Sequence, residues 1–398
     1  MNLPFANDES IPQSESLGIY VKSHVIPAAR SAAVDFSYLA TRVERFALQD
    51  LARSILRDMV ENRSGKMTYT HQVANCLRAR ISNQKGVTLF YNIERERANF
   101  GNLQRCGSVW NCPVCSMTIT EGRRLELSKA LNSWTDSGGF AYLVTFTNSH
   151  HKGDNLADLL EGQKRAFKKL WEKTKLVKKL NDLGYVGRIV ATEVTHGFNG
   201  WHPHYHMIFF FDSPIDMADV KTFLAVDWQD ACIKSKLKAP DLLHGVDVRG
   251  GDYAAKYVTK WGLEYEVTKG HVKKGKNNSL TPFDLLRGCT ENPQYKSLFK
   301  EFADVFKGRR QLVWSAGLKN LLGVKTVSDE TLIAETEKTS VQVHELDAIL
   351  WDLIIKYNQR GYVLELIEND YKNDTNTLCD FIQSLADRYL GEMLINSR

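Results

Sequence analysis

What this 398-residue chain lacks narrows its class before any motif is read. No apolar run approaches the roughly 18 residues that a membrane-spanning helix needs; the longest candidates, such as Met207–Phe211, are strand-sized. The opening MNLPFANDES has no basic region followed by an apolar core, so no secretory leader is expected and a cytoplasmic location is. There is no compositional bias either. At 43% hydrophobic and 25% charged the chain sits near the average of globular proteins, which excludes disorder, collagen and coiled-coil readings. Its length suggests about two or three domains.

Net charge is also small, at +5, but it is unevenly spread. Residues 326–398 carry 14 acidic and 6 basic side chains, which leaves residues 1–325 with 46 basic and 33 acidic. A basic body is joined to an acidic tail. Basic bodies favour polyanions, with nucleic acid ahead of an anionic membrane surface.

Seven cysteines in a chain for which no leader is expected point to metal rather than disulfides. Cys76, Cys106, Cys112 and Cys115 fall in one forty-residue window, and the run RCGSVWNCPVCS contains Cys-x5-Cys-x2-Cys. A Cys-x2-Cys turn can aim two thiolates at one ion, and zinc takes four ligands in a tetrahedron. Cys76 in VANCLRAR is the natural fourth ligand, with His71 as the fallback. Cys232, Cys289 and Cys379 stand alone and read as core residues.

Apolar spacing predicts helices within residues 1–65, over about Thr118–Ser133, and through NLADLLEGQKRAFKKLWEKTKLVKKLNDLG, with a strand at Tyr142–Thr147. The lysines of that third helix form a face that is ordinarily just solvated. The segment RIVATEVTHGFNGWHPHYHMIFFF predicts two strands, Arg188–Thr195 and His202–Phe211, joined by HGFNGW. Side chains alternate along a strand, so His202, His204 and His206 share one face and Tyr205 and Met207 the other. A symmetric six-residue loop puts Glu193 opposite His204, whereas a one-residue slip turns it away. Histidines with one carboxylate suit Mg²⁺, Mn²⁺ or Zn²⁺.

Fifty residues on, GGDYAAKYVTKWG predicts a short helix with Asp252 as N-cap and Gly262 as stop. Tyr253 and Tyr257 are four residues apart and share one face, as Lys256 and Lys260 share an adjacent one. Alone, such phenols are more often packing residues than nucleophiles.

Taken in order, the strand YLVTFTNSH, the histidine motif WHPHYH and the tyrosine helix YAAKYVTK resemble the three motifs of rolling-circle replication initiators of the HUH endonuclease superfamily. The cysteine run before them and GRRQLVWSAGLKNLLG after them resemble a plasmid Rep group in which a cysteine module precedes the nuclease; the likeness spans roughly residues 70–325. Single-tyrosine members of that group carry a glutamate four residues before the nucleophile. Here that position is Tyr253, so the helix is more similar to that of two-tyrosine initiators.

The resemblance implies a metal-dependent nicking and joining enzyme that acts on single-stranded or supercoiled plasmid origin DNA, with host helicase and polymerase as partners and no membrane. Tyr257 corresponds to the primary nucleophile and Tyr253 to the second, with their order of action open. Mg²⁺ or Mn²⁺ would be held by His204, His206 and Glu193, with His202 as a further ligand or donor, and Lys256 or Lys260 would neutralise the phosphate. The cysteines would hold a structural Zn²⁺. Two other classes fit the same motifs: a two-tyrosine transposase and a non-catalytic zinc-ribbon DNA-binding protein.

The implied fold is α+β, a central antiparallel sheet flanked by helices with a zinc-ribbon-like module. The expected organisation is an N-terminal helical segment (1–65), a cysteine module (66–135), the nuclease domain (136–325) and an acidic helical tail (326–398) that packs or self-associates.

Overall fold

The computed structural model describes residues 36–260, 279–334 and 340–396. Among them, helix α1 (Phe36–Ile55) is followed by a hairpin of β1 (Met59–Glu61) and β2 (Met67–Tyr69), then by β3 (Val87–Asn92) and β4 (Arg97–Gly101). Helix α2 (Pro113–Asp136) leads to β5 (Phe140–Thr147), α3 (Leu156–Trp171) and α4 (Thr174–Asp182). Next come β6 (Tyr185–Gly197), β7 (Gly200–Phe211), α5 (Met217–Lys234), β8 (Val246–Arg249) and α6 (Gly251–Lys260). After helices Pro282–Arg287 and Pro293–Phe306 come two further strands, β9 (Leu312–Trp314) and β10 (Ser340–Leu346). Helices Ala348–Lys356, Arg360–Asn373 and Thr377–Asn396 end the described chain.

The central sheet has five antiparallel strands in the order β8-β5-β7-β6-β9. Strand alternation divides its side chains between two cores. Val144, Phe146, Met207, Phe209 and Phe211 pack with Leu170, Leu180 and Trp228 of α3, α4 and α5. Ile189, Ala191, Ile208 and Phe210 pack with Leu127, Ala130 and Leu131 of α2 and with Ala254 and Val258 of α6. Helix α6 therefore lies on the face that carries the histidines, held by two small apolar residues four apart.

A second sheet, in the order β10-β3-β4, stands beside the cysteine region. Its strand β10 comes from the acidic tail, which is therefore not wholly helical: a short helix, Asp329–Ala334, precedes this strand. Tail residues Leu346, Leu353 and Ile354 are buried, whereas Ile349 is exposed. The tail is fastened by charge as well. The wholly buried guanidinium of Arg360 donates to Gln49 Oε1 (2.8 Å), Asp50 Oδ1 (2.5 Å) and the Leu77 carbonyl (3.2 Å), and Arg42 donates to Glu368 (2.7 Å).

Several expectations need correction. The lysine-rich helix is two helices, because Lys173 leaves the helical path (φ −74°, ψ 100°) and its ammonium reaches Asp227 (2.8 Å) and Asp230 (2.5 Å) of α5. Helix α6 begins at Gly251, which puts Asp252 inside the first turn rather than at the cap. Gly262, the expected stop, lies outside the described residues. Of the three lone cysteines only Cys232 is a core residue; Cys289 is half-buried and Cys379 exposed. No helix among the described residues is long and apolar enough to cross a membrane.

Candidate functional site

The β6–β7 hairpin is longer than its sequence suggests and turns over Phe198 and Asn199 alone. The predicted register still holds, because extending both strands symmetrically keeps the same centre: Glu193 pairs with His204 and Ala191 with His206. On the other side β5 pairs Thr145 with His206 and Thr147 with His204. These pairings bring three ligand atoms together. His204 Nε2 lies 3.4 Å and His206 Nε2 3.3 Å from the same Glu193 Oε2, and the three residues meet within 4.8 Å. Ligands about 2.1 Å from an octahedral ion stand about 3.0 Å apart when adjacent, and slightly more around a tetrahedral one. The spacing suits one small divalent ion.

Both imidazoles are held from behind. His206 Nδ1 lies 2.9 Å from Thr145 Oγ1, and His204 Nδ1 lies 3.3 Å from the His202 carbonyl oxygen. A hydrogen bond at Nδ1 fixes the tautomer that leaves the Nε2 lone pair for a metal. Burial opposes charge on Glu193, yet His206 and His204 hold its carboxyl well below the usual carboxylate range. Burial also opposes protonation of His206, but Glu193 overrides it and raises the imidazole.

His202 does not join this group. It stacks on His150 (4.6 Å between centroids, 19° between planes), and burial, then the neighbouring His204, His150 and His206, push its pKa down to about 4. Thr145 and His150 are the residues sequence reasoning passed over. Only the pairing of β5 with β7, which sets Thr145 beside His206, reveals its role.

On α6, Tyr253 is half exposed, with the Arg249 guanidinium 5.2 Å and the Lys256 ammonium 5.4 Å from its ring centre. Tyr257 occupies the next turn of the same helix stripe. The side chains of Tyr257 and Lys260 lie outside the described set. A cavity of about 430 Å³, bordered by His150, His151, Lys152, Lys238 and His244, opens at the end of β5.

The four cysteines converge from three segments. Cys76 follows a single 3₁₀ turn, Cys106 follows β4, and Cys112 and Cys115 form the cap and first turn of α2. The Cys-x2-Cys pair is thus a helix start, with Pro113 at its first position where no amide hydrogen is needed. Sulfur separations are 3.5 Å (Cys76–Cys115), 3.7 Å (Cys106–Cys115) and 3.8 Å (Cys112–Cys76). A zinc tetrahedron with 2.3 Å bonds has edges of about 3.8 Å, so the cluster has the dimensions of a Cys₄ zinc centre.

Amide donors from Cys106 to Cys76 Sγ (3.4 Å), from Cys115 to Cys112 Sγ (3.5 Å) and from Gln49 Nε2 to Cys112 Sγ (3.3 Å) suit thiolates. Burial opposes charge on Cys112, yet hydrogen bonds from Cys106, Cys115 and Cys76 hold it well below the usual thiol range. The fallback His71 is engaged elsewhere. Its Nε2 contacts Asp304 (2.7 Å) and its Nδ1 contacts Asn111 Nδ2 (3.0 Å).

These features define an α+β protein with two candidate metal centres: a Glu-His-His group on an antiparallel sheet, and a four-cysteine cluster at a helix start. The chain belongs to the replication protein family, whose model matches residues 100–363. It is similar to a protein named Protein rep from Streptomyces lividans, 32% identical over 293 residues that cover 56% of this chain and 64% of that protein. It is also similar to a neomycin resistance protein from Streptomyces cyanogenus, 40% identical over 131 residues covering 27% of this chain and 30% of that one. The chain therefore spans less than two thirds of either relative's length. No solved structure matches it significantly.

Proposed function

We propose that this replication protein initiates plasmid rolling-circle replication as a two-tyrosine HUH endonuclease, nicking and rejoining single-stranded origin DNA. One observation carries the reading: Glu193, His204 and His206 converge on the sheet face that α6, the helix of Tyr253 and Tyr257, packs against. In the proposed step a tyrosine phenolate attacks the scissile phosphorus. A tyrosyl O–P bond forms and the P–O3′ bond breaks. The departing oxygen takes up a proton to become a 3′-OH that a polymerase can extend. The phosphodiester energy stays in the 5′-phosphotyrosine, so rejoining needs no ATP.

A free tyrosine has a pKa near 10 and is a weak nucleophile at neutral pH. A divalent ion held by Glu193, His204 and His206 would supply Lewis-acid stabilisation of the phosphate's developing charge. Lys256 adds a positive charge beside Tyr253, and the second phenol allows a second transfer without an activated water. Zn²⁺ at the cysteine cluster serves folding in this reading.

The test is a suicide-substrate gel: single-stranded origin DNA with Mn²⁺ should give a covalent adduct, and peptide mass should map it to Tyr253 or Tyr257. An adduct of wild-type yield from the Tyr253→Phe/Tyr257→Phe double variant refutes the mechanism. No adduct from the unmodified protein favours a non-catalytic DNA-binding protein instead.

A further inference from the structure

The turn of the β6–β7 hairpin carries an aromatic side chain that the nicking chemistry does not use. Phe198 is 87% exposed, although Val194 and Trp201 on the flanking strands are buried. A lone exposed ring is ordinary on a protein surface, but the surroundings of this one are not. The Lys152 ammonium lies 5.9 Å from its ring centre, and Asn199 beside it borders the cavity of about 430 Å³ at the end of β5. The hairpin turn packs against the rim of that cavity: at Gly200, where φ is +85°, a Cβ would stand 3.1 Å from the His151 carbonyl oxygen.

The cavity is built before any ligand arrives. Thr147 Oγ1 donates to the His244 carbonyl (3.2 Å), the Thr147 amide to the Gly245 carbonyl (2.9 Å) and Ser149 Oγ to the Ala239 carbonyl (2.9 Å), which fastens the end of β5 to residues 239–245. It also adjoins the Glu-His-His group, since Thr147 pairs with His204 and His150 in its wall stacks on His202.

The rim keeps an uncompensated positive charge. Lys152 and Lys238 border it, both exposed, and among the described residues neither pairs with a carboxylate. The Lys238 ammonium donates to His151 Nε2 (3.0 Å), an uncharged acceptor that leaves the charge in place, and an ammonium has further hydrogens to donate. The nearby acids are turned to other donors. Asp241 accepts from the amides of Leu243 (2.8 Å) and His244 (3.1 Å) and meets His244 Nδ1 (2.9 Å), while Asp154 accepts from the His151 amide (2.7 Å). A basic cleft that holds the backbone, beside an aromatic ring that stacks on a base, is the combination that binds single-stranded nucleic acid.

We propose that Phe198, Lys152 and Lys238 form a subsite for single-stranded DNA, with one base stacked on the Phe198 ring and the adjoining phosphate drawn into the cavity by the two lysines. A duplex keeps its bases inside and offers the ring nothing to stack on, so the subsite selects unpaired DNA beside the Glu-His-His group. The inference rests on the nicking reading for the identity of the strand, the one presented to that group; the contact itself needs no cleavage.

The test is fluorescence anisotropy on the full chain, without added Mg²⁺ or Mn²⁺, using fluorescein-labelled oligothymidylate and a labelled duplex. Phe198→Ala should weaken binding of the single strand about tenfold and of the duplex less than twofold, and Phe198→Trp should restore the parent affinity. Lys152→Gln/Lys238→Gln should weaken single-strand binding and reduce the slope of log affinity against log salt by about one, a slope that Phe198→Ala leaves unchanged. The same losses should appear in a His204→Ala/His206→Ala background. If they appear in a protein that forms no covalent adduct with origin DNA, the nicking reading fails and the subsite stands. Single-strand binding within twofold of the parent for both variants overturns the subsite whatever the adduct gel shows. Equal losses on single strand and duplex with Phe198→Ala overturn it too, as does failure of the parent protein to bind oligothymidylate.

Discussion

Thr145→Val tests whether the Glu-His-His group is a metal site. The substitution keeps the shape of a β-branched side chain on β5 and deletes one hydroxyl, the acceptor 2.9 Å from His206 Nδ1. Removing a buried acceptor ordinarily costs about 1–3 kcal/mol. Outer-sphere partners of metal-bound histidines are worth about 10–100-fold in affinity.

The lower end is expected here. In the metal-free protein His206 already contacts both Glu193 (3.3 Å) and Thr145 (2.9 Å), so part of the loss falls on both states and cancels. The prediction is a weakening of Mn²⁺ binding of about tenfold, near 1.4 kcal/mol. It is read as free hexaaquo Mn²⁺ by electron paramagnetic resonance at pH 8. Thr145→Ser should restore the parent value. In a His206→Ala background Thr145→Val should have no further effect, since the imidazole it orients is gone. Mn²⁺ binding by Thr145→Val within twofold of the parent would refute the assignment of Thr145 as a positioning residue.

Other consequences can be measured directly. Cys112→Ser should lose the approximately one zinc per chain expected in native mass spectrometry and lower the thermal midpoint; retained zinc would sink the Cys₄ assignment. Arg360→Ala strips Gln49 Oε1 and the Leu77 carbonyl of their buried donor while Asp50 keeps Arg78, so a loss of about 1–3 kcal/mol in urea unfolding is expected, and no measurable loss would contradict the packing described. His202 titrates near 4 when folded and near 6.5 when unfolded, so the unfolded chain binds the extra proton as pH falls. Its contribution to stability is present above about pH 6.5 and is lost toward pH 4. With EDTA present, His202→Gln should therefore show a smaller drop in urea midpoint between pH 7 and pH 5 than the parent does.

The parts of this molecule that could be read from its sequence are those where local spacing dictates geometry. The Glu193–His204 pairing was legible because the hairpin centre is fixed by two symmetric glycines, Gly197 and Gly200, however far the strands extend. The cysteine quartet was legible because its ligands differ chemically from everything around them. Thr145 was not, since a hydroxyl on a strand carries no metal-ligand signature until its partner strand is known.

Strand β10 was hidden for another reason. Most of SVQVHEL stays exposed, so it lacks the buried alternation that marks a strand, and it lies in an acid-rich segment that reads as helix. The break at Lys173 was equally hidden, because the carboxylates that draw the ammonium out of the helix lie more than fifty residues later.

The pairing of β10 with β3 has a consequence during synthesis. Strand β3 leaves the ribosome about 250 residues before the strand that covers one of its edges. At the usual 5–20 residues per second, that edge is unprotected for roughly 12–50 s in every nascent chain. Any product that stops short of residue 340 carries the open edge permanently. Premature termination of this chain should therefore yield aggregating material rather than a shortened but competent protein, and intact copies should depend on chaperones most heavily in that interval.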